Sequence, residues 1–173
     1  GRAGTIHHQS KAVNQLAMDT INIINYADEH AGVFRDLNLE WLDKYHLTEE
    51  PDRHILNDPQ GTILDSGGAI YLAMADGKVI GSAALINEHG GVFELAKMGV
   101  VADWQGKGIG NLLIEKCLNK ARELKATKVI LFSNHQLQAA LGLYEKYGFR
   151  RVQVTDSPFK TADVRMELVL TTK

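Results

Sequence analysis

The sequence predicts an α/β domain, a mixed sheet with helices packed on its faces. Three observations carry that expectation. Period-2 and helical-period segments follow one another as strand, two helices, three strands, helix, strand, helix, two strands, which is neither a strict βαβ alternation nor an all-β pattern. Asp76-Gly77 sits between two apolar runs as a short hairpin signal. Gly106, Gly108 and Gly110 stand at every second position between an apolar run and a helical pattern.

The elements follow in order. Thr20 to Tyr26 (TINIINY) alternates apolar and polar residues and reads as a strand. Asp28 is a candidate cap for the helix after it. There Val33, Phe34, Leu37, Trp41, Leu42 and Tyr45 recur at helical spacing, to about His46. Thr48-Glu49-Glu50-Pro51 combines a Thr cap, an acidic first turn and an early proline, so a second helix starts there and ends near Asn57-Asp58-Pro59. Ala69–Ala75 and Lys78–Ile86 form the hairpin. Beyond His89-Gly90-Gly91, Val92–Val101 makes a third strand, long enough for the centre of a sheet. The helix after the glycines has the apolar stripe Ile109, Leu112, Leu113, Cys117, Ala121, Leu124. Lys128–Phe132 reads as a short buried strand. A helix over Gln136–Tyr147 follows, with Gly148 as its C-terminal stop. Arg151–Thr155 and Val164–Leu170 are the last strands.

Composition narrows the function. A chain of 173 residues is most simply one domain with room for a substantial core. A net charge of -2 offers no broad basic field, so nucleic acid is not an expected partner. No apolar stretch is long enough for a membrane span, and the first residues lack the apolar core of a secretory signal. One cysteine excludes an internal disulfide and any multi-cysteine metal site. A cytoplasmic protein is expected. Residues 1–19 read as a flexible tail or a short helix over Lys11–Met18, and the adjacent His7 and His8 as part of a mobile tail or expression remnant, not a metal site. The domain proper is expected over 20–173.

Gln105-Gly106-Lys107-Gly108-Ile109-Gly110 is the most informative segment. Few side chains let backbone N–H groups close on a ligand, and a helix N-terminus adds unpaired donors and a positive dipole end. That combination suits a phosphate or pyrophosphate. The dinucleotide fingerprint needs G-x-G-x-x-G and an acidic residue about twenty positions on. Here the spacing is G-x-G-x-G. The P-loop needs Gly-Lys followed by Ser or Thr, whereas Lys107 is followed by Gly108. A nucleotide-dependent oxidoreductase is therefore disfavoured. A bare strand-to-helix turn remains the plain structural alternative.

These residues resemble the GNAT (GCN5-related N-acetyltransferase) superfamily, in its bacterial small-molecule form. Gln105-x-x-Gly108-x-Gly110 is similar to the acetyl-CoA loop, usually Arg/Gln-x-x-Gly-x-Gly/Ala, and Val100 lies five residues upstream as the strand-end valine does. Ser133-Asn134, Ala140 and Leu143-Tyr144-Glu145-Lys146-Tyr147-Gly148-Phe149 resemble the second half of the pattern. Ala102 stands where the family usually has proline, a change expected to alter loop stiffness, not chemistry. The resemblance covers about Thr20 to Leu170. It implies a mostly antiparallel sheet of about six to seven strands with helices on both faces.

The resemblance also implies transfer of an acetyl group from acetyl-CoA, with no metal, directly to a primary amine of a small molecule or amino acid. Gln105, Gly106, Lys107, Gly108, Ile109, Gly110 and Asn111 would hold the pyrophosphate. Met98, Gly99 and Val100 would make main-chain contacts to pantetheine, as an added strand does, with a backbone N–H supporting the thioester oxygen. Gly99 reads equally as a bulge. Asn134 would bond pantetheine or water, or cap a helix. Glu94, six residues before Val100, is the expected base, partly desolvated on an apolar strand and acting directly or through water. Tyr144 is the expected acid at the sulfur, with a core aromatic as the plain alternative. Tyr147 reads as core packing beside Phe149, Lys97 as a solvated or paired charge, and Cys117 as a buried apolar residue, not an acyl-accepting nucleophile. Acceptor contacts are expected among Arg35, Asp36, Glu40, Trp41, Lys44, Tyr45 and His46, most of them a solvated face, with Gly67-Gly68 as a pocket rim. Two other readings stand beside this one: a non-catalytic acyl-CoA-binding module, and acetylation of a protein N-terminus or lysine. A homodimer is one option for assembly.

Overall fold

The computed structural model describes residues 20–170. The tail or short helix expected over residues 1–19, with His7 and His8, lies outside them. Eleven main elements are present: β1 (Asn22–Asn25), α1 (Ala31–Lys44), α2 (Glu50–Asn57), β2 (Ala69–Ala75), β3 (Lys78–Asn87), β4 (Val92–Val100), α3 (Ile109–Glu123), β5 (Lys128–Ser133), α4 (Gln138–Lys146), β6 (Arg150–Val152) and β7 (Val164–Val169). They match the expected order. Three short turns were not anticipated: 3-10 turns at Asp28–His30 and Ala102–Trp104 and a π-helical turn over Gln60–Leu64.

The strands form one seven-stranded sheet in the order β1-β2-β3-β4-β5-β7-β6. Every pairing is antiparallel except β4 with β5. The alternation of β2 sorts its side chains between two cores. Tyr71, Ala73 and Ala75 face the layer that holds Ile109, Leu113, Cys117 and Leu141. Ile70 and Leu72 face Phe34, Leu42, Leu56 and Ile63. Thus α1 and α2 cover one face and α3 and α4 the other.

Local chemistry moves several boundaries. A short 3-10 turn at Asp28–His30 precedes α1, so Asp28 is not its cap; the Ala27 N–H is instead bonded by His30 Nδ1 at 3.0 Å. Glu49, not Thr48, is the N-cap residue of α2. Its N–H donates to the Asp52 carboxylate at 2.9 Å, a reach back across the first turn, while the Thr48 hydroxyl donates to Asp43. Helix α4 starts two residues later than expected because Asn134 takes the N–H groups of Gln136 and Leu137 into a tight turn. Gly148 ends α4 at φ +95°. Helix α3 buries Ile109, Leu113, Ile114, Cys117, Leu118 and Ala121. Leu112 and Leu124 face outward, as Val33 does on α1. No helix among the described residues is long and apolar enough to cross a membrane.

Candidate active site

Strands β4 and β5 pair only through Val92, Phe93 and Glu94. Beyond Glu94 they part, and the gap opens into a cleft of about 460 Å³. Leu95 to Val100 of β4 line one side; Phe132, Ser133, Leu143 and Tyr144 line the other. The glycine loop closes one end, with Gln105, Gly106, Gly108, Ile109, Gly110 and Asn111 on the wall.

The loop's geometry follows from its residues. Gly106 and Gly108 hold φ +76° and +80°, conformations that a side chain resists. Gly108 is the left-handed N-cap residue of α3 and brings no side-chain cap, so the first N–H groups of that helix stay open. Gln105 Nε2 donates to the Val100 carbonyl at 3.0 Å and ties the loop to the strand end. Lys107 lies outside the cleft wall, its Nζ 5.5 Å from the centre of the Trp104 ring.

A β-bulge interrupts the pairing of β4 with β3 beside the cleft. Between Ser82 and Ala84, β3 advances two residues while β4 advances three, from Gly99 back to Ala96. Lys97 sits in this bulge at φ +50°. The Ser82 hydroxyl donates to the Lys97 carbonyl at 2.8 Å and accepts from Asn38 Nδ2 at 3.0 Å. Asn38 Oδ1 in turn accepts from Trp41 Nε1 at 3.0 Å. Gly99 leaves the room that Trp41 uses: a Cβ there would lie 2.5 Å from Trp41 Nε1. Gly99 therefore borders the bulge without forming it.

A smaller cavity of about 70 Å³ adjoins the cleft. The two share Trp41, Ala96, Lys97, Phe132, Ser133 and Leu137. Glu94, Asp52, Asn134, Phe159 and Thr161 line only the smaller one. Glu94 is 6% exposed, and its carboxyl is pushed up to about 8. Burial is the first cause, and Glu88 adds charge repulsion and a hydrogen bond; Lys97 opposes these and Asp52 reinforces them. Lys97 is a paired charge, bonded to Asp52, and both are almost fully buried.

The expected acid and base thus border adjoining cavities. Tyr144 is 7% exposed and stands edge-on to Phe149 at 6.0 Å, so the core-aromatic description holds together with a place on the cleft wall. Its hydroxyl makes no hydrogen bond to a described residue, and burial raises its pKa well above the usual phenol value. Tyr147 packs, half-buried, against the core that holds Phe149, as expected, and its hydroxyl reaches α3, 2.6 Å from Glu115 and 3.2 Å from Asn111. Asn134 is engaged at both ends of its side chain, donating to the Thr161 carbonyl at 2.8 Å and accepting from Gln136 N at 3.0 Å. Cys117 is buried in the α3 core with its thiol pushed up to about 12. That burial fits the apolar reading of Cys117.

Among the candidates on α1 and just after it, Trp41 and Tyr45 line the cleft; Arg35, Asp36, Glu40, Lys44 and His46 do not. Gly67-Gly68 serves packing, not a rim, since a Cβ on Gly68 would meet the Leu85 carbonyl at 2.2 Å. Sequence reasoning missed Asp52, Phe159 and Thr161. Their signals were weak: an acidic first turn and an aromatic after Pro158.

A mixed sheet parted beside a glycine loop that feeds a helix defines the class of acetyl-CoA-dependent acyltransferases. The family model described as "Acetyltransferase (GNAT) family" matches residues 32–149, and the chain belongs to that family. It is 36% identical over 91 residues to N-acetylaspartate synthetase of Xenopus tropicalis, an alignment that covers 52% of this chain and 34% of that protein. The chain thus spans about a third of the length of that curated relative. Its fold is similar to that of a GNAT-family acetyltransferase from Staphylococcus aureus Mu50, with TM-score 0.81, 22% identity, and 87% and 99% of the two chains covered. The PaiA N-acetyltransferase of Thermoplasma acidophilum, solved in complex with coenzyme A, is similar at TM-score 0.68 and 18% identity, with 87% and 99% covered.

Proposed function

We propose that this domain moves the acetyl group of acetyl-CoA directly to a primary amine of a small molecule or amino acid. The observation that carries the proposal is the parted pair β4–β5, with open helix donors at one end of the gap and a desolvated carboxyl at the other. The cleft fits the co-substrate: a backbone-lined loop for the pyrophosphate, and an unpaired strand edge for a pantetheine chain. Gln105 to Asn111 would hold the diphosphate, and Met98, Gly99 and Val100 the chain behind it. Acetyl-CoA supplies an activated acyl group and a thiolate leaving group.

The residues divide the remaining work. Glu94 takes the proton of the incoming ammonium, directly or through a water, and its raised pKa brings it nearer to that of an amine. Main-chain N–H groups at the β4 bulge support the oxygen that gains charge. Tyr144 offers its hydroxyl proton to the departing sulfur, and no described residue competes for it. Buried Cys117 does not carry the acetyl group, so transfer is direct. The narrow second cavity suits a small amine head.

A thiol-release assay over an amine panel tests this, run on wild type, Glu94→Gln and Tyr144→Phe. Turnover in wild type and its loss in both variants is expected. Tight coenzyme A binding with no transfer to any amine would favour the non-catalytic module instead.

A further inference from the structure

The strongest feature unused by this chemistry is the ion pair between Lys97 and Asp52. The two residues are 7% and 2% exposed, and they join strand β4 to helix α2 across 45 positions of sequence. Two charges held so far from water are costly unless their geometry is well supported. Here it is supported on both sides. Asp52 also accepts from the Glu49 N–H. The Glu49 carboxylate accepts from Lys160 N at 2.8 Å, from Thr161 N at 3.0 Å and from the Thr161 hydroxyl at 2.6 Å. Lys97 Nζ lies 5.1 Å from the centre of the Phe159 ring. The pair therefore links the bulge, the start of α2 and the loop between β6 and β7, three walls of the cavity that holds Glu94.

We propose that Lys97 and Asp52 are positioning residues for the transfer, a buried ion pair that clamps the β4 bulge and whose two charges act on Glu94 in opposite directions. The inference rests on Glu94 being the base. Lys97 favours the carboxylate, and Asp52 favours the neutral acid. The other charged group that faces Glu94 is Glu88, just beyond the end of β3. The remaining walls bring no charge to the cavity: Trp41 and Leu42 from α1, Phe132 and Ser133 from β5, and Phe159, Thr161 and Ala162 from the β6–β7 loop. The two strands beside Glu94 place Ile86 and Ile130 opposite it.

The sign of the two effects makes the test. The side-chain carboxyl of Glu94 is followed by carbon-13 NMR across a pH titration, assigned by its absence in Glu94→Gln. Lys97→Met is expected to move the titration midpoint up, and Asp52→Asn to move it down, each by about one pH unit or more. The double variant, which leaves neither charge buried alone, falls between them. Midpoints that stay at the wild-type value, or that move in the same direction in both single variants, overturn the proposal. If one single variant does not fold, the other and the double variant decide by the same order, and a reversed order overturns it. The titration needs no acceptor, so its failure and the failure of the amine panel are separate results.

Discussion

A carboxyl pushed up to about 8 is mostly protonated at pH 7 and must lose that proton before it can serve as a base. The acceptor-dependent kcat/KM is therefore expected to rise with pH up to about 8 and then level, unless the acceptor's own ionisation adds a limb. Glu94→Gln should remove the limb and lower kcat by about 10²-fold or more. The same shift acts on stability. The folded value lies above the ordinary 4.5, so the folded state holds a proton that the unfolded chain releases. That contribution is complete below 4.5 and fades as pH rises through about 8. Thermal melting should show Glu94→Gln gaining on wild type as pH increases; an equal difference at all pH values would exclude a raised Glu94. Tyr144→Phe is a contrasting case. Its hydroxyl has no partner among the described residues, so the variant should melt within about 0.5 kcal/mol of wild type while kcat falls about 10²-fold.

At the level of elements, β4 carries most of the design. Phe93 and Glu94 near its start pair on both sides, its bulge holds Lys97, and its end lies against Trp41. Gly99→Ala should cost about 1–3 kcal/mol in urea unfolding, because the new Cβ must push Trp41 off its bond to Asn38. The strand itself was legible in the sequence: Val92–Val101 against the observed Val92–Val100. So were β2, whose bounds agree at both ends, and the glycine loop. The bulge was not, because an extra residue in a strand follows from the register of the neighbour and leaves the apolar alternation nearly intact. The partner of Lys97 was hidden for a related reason. Asp52 looks like any first-turn acid until the fold brings α2 to the bulge. Thr48 misled because a threonine before an acidic turn is a sound cap signal, and here Asp52 satisfied the N–H one residue later.

For the whole molecule, the parallel pairing of β4 and β5 is the decisive arrangement. Six pairings hold the sheet, and five are antiparallel. The parallel one runs for three residue pairs and then opens, so the cleft is part of the sheet and not an addition to it. A ligand that fills it should stabilise the domain as one unit. Acetyl-CoA at a hundred times its Kd is expected to add about 2.7 kcal/mol, read as a rise in Tm, and Gly108→Val should weaken that rise by disturbing the loop. No shift with acetyl-CoA would contradict the cofactor reading. Residues of the parallel pair and the loop were readable before the fold; the neighbouring cavity was not, since its walls come from α1, α2, β4, β5 and the β6–β7 loop together.

The single cysteine adds a practical advantage. Cys117 is enclosed by the α3 core, and its thiol is held neutral far into alkaline solution. A chromogenic disulfide reagent attacks through the thiolate of its target, so the folded protein should be silent toward it. Any colour that develops during turnover then counts coenzyme molecules set free, with no blank to subtract. The same silence makes the reagent a clock for unfolding: one equivalent per chain should appear only as the α3 face of the sheet comes apart.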